Sequence, residues 1–520
     1  MARRWLAARS GLGPFHRDLV AGLLGALSAA ALPPLHAVPI LLLTVPGLLA
    51  MLRRATHVRG AFRIGFWFGF GHHIFGLYWI TEAILVEAQD FWWFVPLAVP
   101  ATATVLALFI ALPCGLAWYA RPGWRRLWVL AGAWVLADIA REYVGSGFPW
   151  NLWGSVWELP GAWGDVMIQP AAWISVHGLT LATMLLAGAP TLTWRGWSFA
   201  AIGLAGWIGL GTWRLSTPAP ADQGISVILV QGNVPEGEIQ DRQTAVSRFE
   251  RHLALTARAV SAAPLPHIVV WPETASPFLL QSDPAARAAI AQAASGPSLI
   301  GAIRFAIDPA RPGEDSPRNS LFALDASGAI AGVVDKFHLV PFGEYQPAWL
   351  PGLQIVPGGG FHPGPGPRTL HIQGVPPVGV LICYEAIFPG QVVNAADRPT
   401  WLVNVTNDAW FGNSSGPRQH LAAARMRAVE EGLPLLRAAN TGLTAGFDAF
   451  GREFARLKFA TQGYLNLSLP GALGPTVFSR YGLIIPIFIS LCVCCLPWLM
   501  QTRDLRAVSR RQRNERASYL

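Results

Sequence analysis

The chain has 520 residues, of which 52% are hydrophobic and only 13% charged, whereas an ordinary soluble chain carries about a quarter charged residues. Together with 23 tryptophans, whose amphipathic rings favour the boundary of lipid and water, this excludes a wholly soluble or disordered protein and argues for a membrane protein. The formal net charge of +9 is nearly all arginine, which in such a chain records orientation rather than nucleic-acid binding.

A helix needs about 20 residues to cross the hydrocarbon core, somewhat fewer at the margins. Apolar runs of that order predict eight spans, at 18–33, 36–52, 64–86, 92–119, 125–143, 170–193, 197–213 and 480–500. The first two are short and separated only by Pro33 and Pro34, so a re-entrant hairpin and a cleaved signal peptide stand as alternatives. Against cleavage, the apolar character resumes at once after Leu35, where a targeting segment normally gives way to a polar mature start. Every second loop is basic. Arg3, Arg4, Arg9 and Arg17 precede span one, Arg53, Arg54, Arg59 and Arg63 follow span two, Arg121, Arg125 and Arg126 follow span four, and Arg195 follows span six. Arg503, Arg506, Arg510, Arg511, Arg513 and Arg516 close the chain. The excess of arginine on cytoplasmic loops then puts both termini in the cytoplasm and the 216–476 segment on the opposite face, the periplasm of a bacterial inner membrane. The expected organisation is a transmembrane bundle of about seven helices over 1–215, a periplasmic domain over 216–476, a last transmembrane helix over 477–502 and a basic tail over 503–520. No nucleic-acid partner is expected: a basic run beside a span is more often a topology determinant near anionic lipid.

The rhythm changes after the linker Ser216-Thr217-Pro218-Ala219-Pro220. β-rich runs at Ile225 to Gln231, Ile268 to Trp271, Leu299 to Ile303, Ile330 to Val334, Val378 to Ile382 and Trp401 to Val405 alternate with helical patterns at Arg242 to Ser261, Pro284 to Ala294 and Gln419 to Glu431. That alternation predicts a layered α/β domain with its sheet covered by helices. Three strands end in reactive groups: Glu273 after Ile268-Val269-Val270-Trp271-Pro272, Lys336 after Val333-Val334-Asp335, and Cys383 after Val378-Gly379-Val380-Leu381-Ile382. Ligands of α/β folds collect at strand ends. A thiolate to attack an acyl carbon, a carboxylate to take its proton and an ammonium to stabilise the oxyanion would make a complete nucleophilic site. Taken alone, Cys383 reads first as an inert buried thiol, and Cys114, Cys492, Cys494 and Cys495 lie in apolar runs where packing is the natural reading.

These residues, in this order, resemble the carbon-nitrogen hydrolase (nitrilase) superfamily, whose Glu-Lys-Cys triad sits on an αββα sandwich. Supporting matches are Val230-Gln231-Gly232-Asn233, Pro341-Phe342-Gly343-Glu344-Tyr345, the block from Asn404 to Gly412, and Arg425-Met426-Arg427-Ala428-Val429-Glu430. With Gly69 to Trp79, Arg141-Glu142-Tyr143 and Gly147-Phe148-Pro149-Trp150 in the membrane part, nearly the whole chain resembles the bacterial apolipoprotein N-acyltransferases. The resemblance implies transfer of a fatty acyl chain from a membrane phospholipid donor, through a Cys383 thioester, to the α-amino group of a diacylglyceryl-modified apolipoprotein acceptor. Glu273 would be the general base, and Lys336 would stabilise the oxyanion. Glu344, Glu385, Tyr345 and Asn407 would be supporting residues, and neither metal nor organic cofactor is implied. The chain departs from the family where a tryptophan about seven residues beyond Asn233 is common; here the run reads Val234-Pro235-Glu236-Gly237-Glu238-Ile239-Gln240.

Three features remain. Trp150, Trp153, Trp157 and Trp163 suggest either a hydrophobic shelf admitting lipid or an interfacial belt. The glycine- and proline-rich stretch 357–366 suggests a mobile lid. His72 and His73, adjacent and so on different helix faces, are expected to pack or meet a headgroup rather than bind metal. The rivals to acyl transfer are a membrane-anchored amidase or nitrilase acting on a small substrate, and a transporter or receptor whose α/β domain only binds ligand.

Overall fold

The computed structural model describes residues 13–86, 92–235, 241–308, 311–347 and 360–500. Outside them lie Arg3, Arg4, Arg9, the 503–520 tail, the run 236–240 and residues 357–359 of the glycine-rich stretch.

The N-terminal part is helical. Helices α1 (Pro14–Ala29) and α2 (Leu41–Arg54) are separate elements joined through a turn at Pro33 and Pro34. Helix α3 (Val58–Gly76) is capped by His57, whose ring accepts the Gly60 N–H at 2.9 Å. The expected span 64–86 is therefore corrected. The helix begins at Val58 and ends at Gly76, and a separate short helix α4 (Ile80–Val86) follows. The break arises because the intervening residues serve the other half of the molecule. The Tyr78 hydroxyl accepts the Ser415 N–H at 3.1 Å, and the Trp79 indole donates to Gln419 Oε1 at 3.2 Å. Helices α1 and α3 touch through backbone: a Cβ on Gly25 would fall 1.8 Å from the Phe68 carbonyl oxygen, and one on Gly71 2.0 Å from that of Gly22. Small residues permit this approach, as in packed membrane helices.

Then come α5 (Val95–Trp118), α6 (Trp124–Ala140), the unexpected short α7 (Ala162–Ile168), α8 (Ala171–Gly188) and α9 (Trp194–Leu215). Among the described residues, two helices, Trp92–Trp118 and Ala171–Leu192, are long and apolar enough to cross a membrane by length and composition, with mean hydropathies of 2.2 and 1.4. Leu23, Leu42, Leu112, Ile202, Phe488 and Leu499 lie exposed on the helices, an apolar outer surface that water would not favour. The tryptophan shelf is not formed as a unit. Trp150 and Trp153 are buried, 4% and 1% exposed, and only Trp163 of the four is largely open, at 68%.

The remainder is a sandwich of two six-stranded sheets. The first contains β1 (Ser226–Gln231), β2 (His267–Val270), β3 (Ser298–Asp308), β4 (Arg311–Leu324), β5 (Ile330–Asp335) and β12 (Gly463–Ser468), in the order β12-β1-β2-β3-β4-β5. The second contains β6 (Thr369–Ile372), β7 (Val375–Ile382), β8 (Trp401–Thr406), β9 (Leu435–Ala439), β10 (Ala445–Phe447) and β11 (Glu453–Arg456), in the order β11-β10-β9-β8-β7-β6. In each, three strands run parallel, β1-β2-β3 and β7-β8-β9, and antiparallel neighbours flank them. Period-two alternation separates two cores. Val227, Leu229, Ile268 and Val270 face Val378, Val380, Val403 and Val405 between the sheets. Ile228, Val230, Val269 and Trp271 face outward under α10 (Arg242–Val260) and α11 (Pro284–Ala294), and Leu381 and Leu402 lie under α12 (Gly416–Glu431). This is the expected αββα layering, with burial on both faces explaining why the central strands are continuously apolar. Helices α13 (Val477–Tyr481) and α14 (Ile484–Met500) complete the described chain.

Candidate active site

The parallel strands point their C-terminal ends the same way, so the loops after β2 and β7, with the one after β5, gather at one edge of the sandwich. Lys336 follows β5, where Arg304 grips Asp335 through two hydrogen bonds of 2.7 and 2.6 Å, and the Lys336 N–H donates to the Asn319 carbonyl at 2.8 Å. The lysine side chain, 1% exposed, donates from Nζ to Glu273 Oε1 at 3.0 Å and to Glu344 Oε1 at 2.9 Å. Burial works against this ammonium, but the two carboxylates prevail and hold its pKa well above that of an ordinary lysine. Asn319, on β4, duplicates the bridge: its Nδ2 donates to Glu273 Oε1 at 2.7 Å and to Glu344 Oε1 at 2.9 Å. The second oxygens are anchored to backbone, Glu273 Oε2 by the Asn407 N–H at 2.9 Å and Glu344 Oε2 by the Val340 N–H at 2.8 Å.

Cys383 opens the turn after β7 in the left-handed region, at φ 53°. That conformation is costly for a residue with a Cβ and persists only where its surroundings over-determine it. Glu385 is the first brace. One oxygen accepts the Ile382 N–H at 2.6 Å, and the other accepts the N–H groups of Phe337 at 2.6 Å and His338 at 3.4 Å, which ties the cysteine turn to the loop that carries Lys336. Burial pushes this carboxyl up to about 8 despite those donors. Tyr384 is the second brace, its hydroxyl donating to the Gly147 carbonyl at 2.7 Å. The third is His420 on α12, whose Nε2 lies 2.9 Å from the Cys383 carbonyl oxygen. Burial, and then the Glu273 carboxylate, push the Cys383 thiol well above the usual cysteine range, against the pull of Lys336. At neutral pH the resting thiol keeps its proton, so attack requires a base.

The predicted Glu273, Lys336, Cys383 and Glu344 thus come together, whereas Glu385 faces the backbone instead of the other site carboxylates. Asn407 contributes its backbone N–H to Glu273, while its side chain accepts from Asn440 Nδ2 at 3.1 Å. Tyr345, next to Glu344, is half-buried, and its carbonyl accepts the Phe342 N–H at 3.0 Å. Of the glycine-rich stretch, the described part is tied down: Phe361 N–H donates to the Glu344 carbonyl at 2.7 Å and Gly364 N–H to that of Lys336 at 2.8 Å. Among the described residues, no three His, Cys, Asp or Glu side chains converge where a metal ion could be held.

The apolipoprotein N-acyltransferase of Rhodopseudomonas palustris is 37% identical over 522 aligned positions, covering 93% of this chain and 96% of that one. That of Allorhizobium ampelinum is 38% identical, covering 89% and 92%. The chain belongs to the apolipoprotein N-acyltransferase family. Residues 24–189 match the model of the N-terminal domain of that family, and residues 229–466 match the carbon-nitrogen hydrolase model. An amidase from Nesterenkonia sp. of known structure aligns with 49% of this chain and 94% of its own, at 19% identity and a TM-score of 0.36.

For this member of the apolipoprotein N-acyltransferases, sequence reading missed Asn319 and His420. Asn319 sits in Ser316-Pro317-Arg318-Asn319-Ser320, too polar to suggest the strand it occupies. His420 lies in the second turn of a helix whose fourteen buried residues include four charged ones, so no hydrophobic stripe announced which face turns inward. The signal available was proximity to the Asn404 to Gly412 block.

Proposed function

We propose that the chain transfers a fatty acyl group from a membrane phospholipid to the α-amino group of the N-terminal diacylglyceryl-cysteine of apolipoproteins, through a thioester on Cys383. Glu273 takes the thiol proton as sulfur attacks the ester carbonyl, and Lys336 stabilises the oxyanion. Collapse breaks the ester C–O bond, and the lysophospholipid leaves with the proton from Glu273. The acceptor amine then attacks the thioester and surrenders a proton to Glu273. The C–S bond breaks, the amide is released, and the proton returns to sulfur. Glu344 and Asn319 hold Glu273 and Lys336 in register, and Glu385, Tyr345 and Asn407 support the loops around them.

The observation that carries this reading is the shared bridge: one buried ammonium and one amide nitrogen join Glu273 to Glu344, within electrostatic reach of Cys383. A site in which base and oxyanion partner are already hydrogen-bonded needs little reorganisation as charge develops. Eight spans, with the sandwich periplasmic and both termini cytoplasmic, would put this site beside its insoluble donor. Arginine in alternate loops and the apolar outer helix surface support that orientation.

The test is mass spectrometry of purified protein incubated with phospholipid and no acceptor, wild type against Cys383→Ala. A fatty-acyl mass on the Cys383 peptide, released by neutral hydroxylamine and discharged by a diacylated lipopeptide, is the expected result. Absence of an adduct in every lipid tried, with turnover of small amides by wild type alone, would replace this reading with an anchored amidase.

A further inference from the structure

Behind the nucleophile lies a buried polar chain that the proposed reaction does not use. His420 Nδ1 stands 2.9 Å from Asp408 Oδ1 and 3.1 Å from an Arg437 terminal nitrogen, and that nitrogen donates to Asp408 Oδ2 at 2.7 Å. The Thr406 hydroxyl adds a bond to Asp408 Oδ1 at 3.2 Å. The other Arg437 terminal nitrogen donates to Asn404 Oδ1, and Asn404 Nδ2 donates to the Leu381 carbonyl at 3.1 Å, two residues before the nucleophile. His420, Asp408, Arg437 and Asn404 are fully buried. In this buried network every side-chain polar atom but Arg437 Nε has a partner, and such a network is rigid and specifies one geometry.

The chain ends on a single backbone atom. The Cys383 carbonyl can only accept, so His420 Nε2 carries a proton and donates it, whichever state Nδ1 adopts. The Cys383–Tyr384 peptide is trans, so its carbonyl and its N–H leave the peptide plane on opposite edges. Fixing the carbonyl against His420 therefore turns the Tyr384 N–H away from α12 and holds Cys383 in its left-handed conformation. The adjacent Gln419 fixes the helix end itself, its Oε1 accepting both the Trp150 indole at 2.8 Å and the Trp79 indole at 3.2 Å.

We infer that His420, aligned by Asp408 and Arg437, is a positioning residue for acyl transfer: by donating to the Cys383 carbonyl it orients the 383–384 peptide so that sulfur and the Tyr384 N–H face the acyl group together. The role is hydrogen-bond donation and not proton exchange. The charged and titratable groups facing the ring, Asp408, Arg437 and Cys383, give it no exit for a proton to the substrate.

This inference rests on the thioester reading, and its test separates the two. The full-length protein in detergent is assayed for the rate of acyl-adduct formation on Cys383 from phospholipid and, independently of lipid, for the rate of Cys383 alkylation by iodoacetamide. His420→Ala is expected to slow acylation by about 100-fold, the order of loss when a catalytic donor is misplaced, with the donor KM unchanged. His420→Gln, which retains an N–H donor, should recover at least about tenfold of that loss. The apparent ionisations in the pH–rate profile should be the same in His420→Gln as in wild type. Asp408→Asn, which leaves the ring in place but loosens it, is the second variant, expected to slow acylation about tenfold, and it decides the matter if His420→Ala does not fold. A wild-type rate in His420→Ala, or in Asp408→Asn when the alanine variant does not fold, a glutamine variant no faster than alanine, or an ionisation lost from the profile would each overturn the inference. If wild type forms no adduct, the thioester reading fails, and the alkylation rates of the same variants still decide the role of His420 by the same ordering.

Discussion

Glu385 illustrates how a buried carboxylate can tie two loops together through backbone alone. It accepts three backbone N–H groups from two loops, and its burial raises its pKa from the ordinary 4.5 to about 8. The folded protein thus holds a proton that the unfolded chain would release between those values. Since stability falls with pH wherever the native state binds more protons, this residue makes the protein progressively less stable from about pH 5 toward pH 8. Glu385→Gln should flatten that part of the thermal-midpoint profile while lowering stability overall, because an amide offers one acceptor oxygen where the carboxylate offers two. An unaltered pH slope in the variant would show that Glu385 does not hold this proton. The sequence singled out the glutamate by its place two positions after Cys383, but its direction was not legible there. Which atoms a buried carboxylate meets depends on a loop almost fifty positions away.

Among the elements, β3 shows how a strand sets a side chain it does not carry. Gly301 lies under the end of β2, and a Cβ there would come within 2.1 Å of the Pro272 carbonyl oxygen and 2.7 Å of Glu273 Cα. All of these neighbours are backbone, so neither side can yield cheaply. Gly301→Ala should displace Glu273 from the Lys336 bridge, costing about 1–3 kcal/mol of stability and at least tenfold in acylation rate. Gly206→Ala, where the added methyl meets nothing within 4 Å in the interior of α9, is the control: it should leave the adduct rate unchanged and not lower stability. Measured melting temperatures and adduct rates for the pair decide the point; parity between them would remove the steric argument. The elements themselves were only partly readable. Apolar runs announced β1, β2, β3, β5, β7 and β8, but β4, β6 and β9 to β12 are short, polar or interrupted, and owe their strand conformation to pairing with neighbours already in place. The single span expected over 64–86 failed for a related reason, since apolar composition continues through Leu77 to Trp79 while tertiary partners bend the chain there.

At the scale of the whole molecule, the helical part and the sandwich are joined by hydrogen-bonded side chains as well as by apolar packing. Gln419 accepts two indoles from the helical part and donates to the Pro33 carbonyl at 3.2 Å, while Glu430 accepts the Ser175 hydroxyl at 2.7 Å and the Val176 N–H at 2.9 Å in the kink of α8. Gln419→Leu would strand two indole N–H groups and a carbonyl in a buried seam, and each unsatisfied group costs about 1–3 kcal/mol. A drop in thermal midpoint together with faster proteolysis in the 216–223 linker is expected. Gln419→Glu, which keeps the acceptor for the indoles, should be milder in both. Equal behaviour of the two variants would mean that the apolar contacts alone hold the halves together.

What the sequence by itself determined about this protein is what repeats or stands close in the chain. Composition set the membrane character, arginine in alternate loops set the expected orientation, and period-two apolar runs set the central strands. A Glu, a Lys and a Cys at three strand ends, with their flanking blocks, pointed to the family. Only the tertiary structure decided which carboxylate shares the ammonium, that Asn319 completes the bridge, that His420 reaches the Cys383 carbonyl and that Trp79 leaves its helix for Gln419. These are contacts between residues from 8 to 340 positions apart. Local periodicity encodes which face of an element is buried, because that depends on the element alone. A hydrogen bond between distant side chains depends on how two finished elements pack, and no local pattern carries that information.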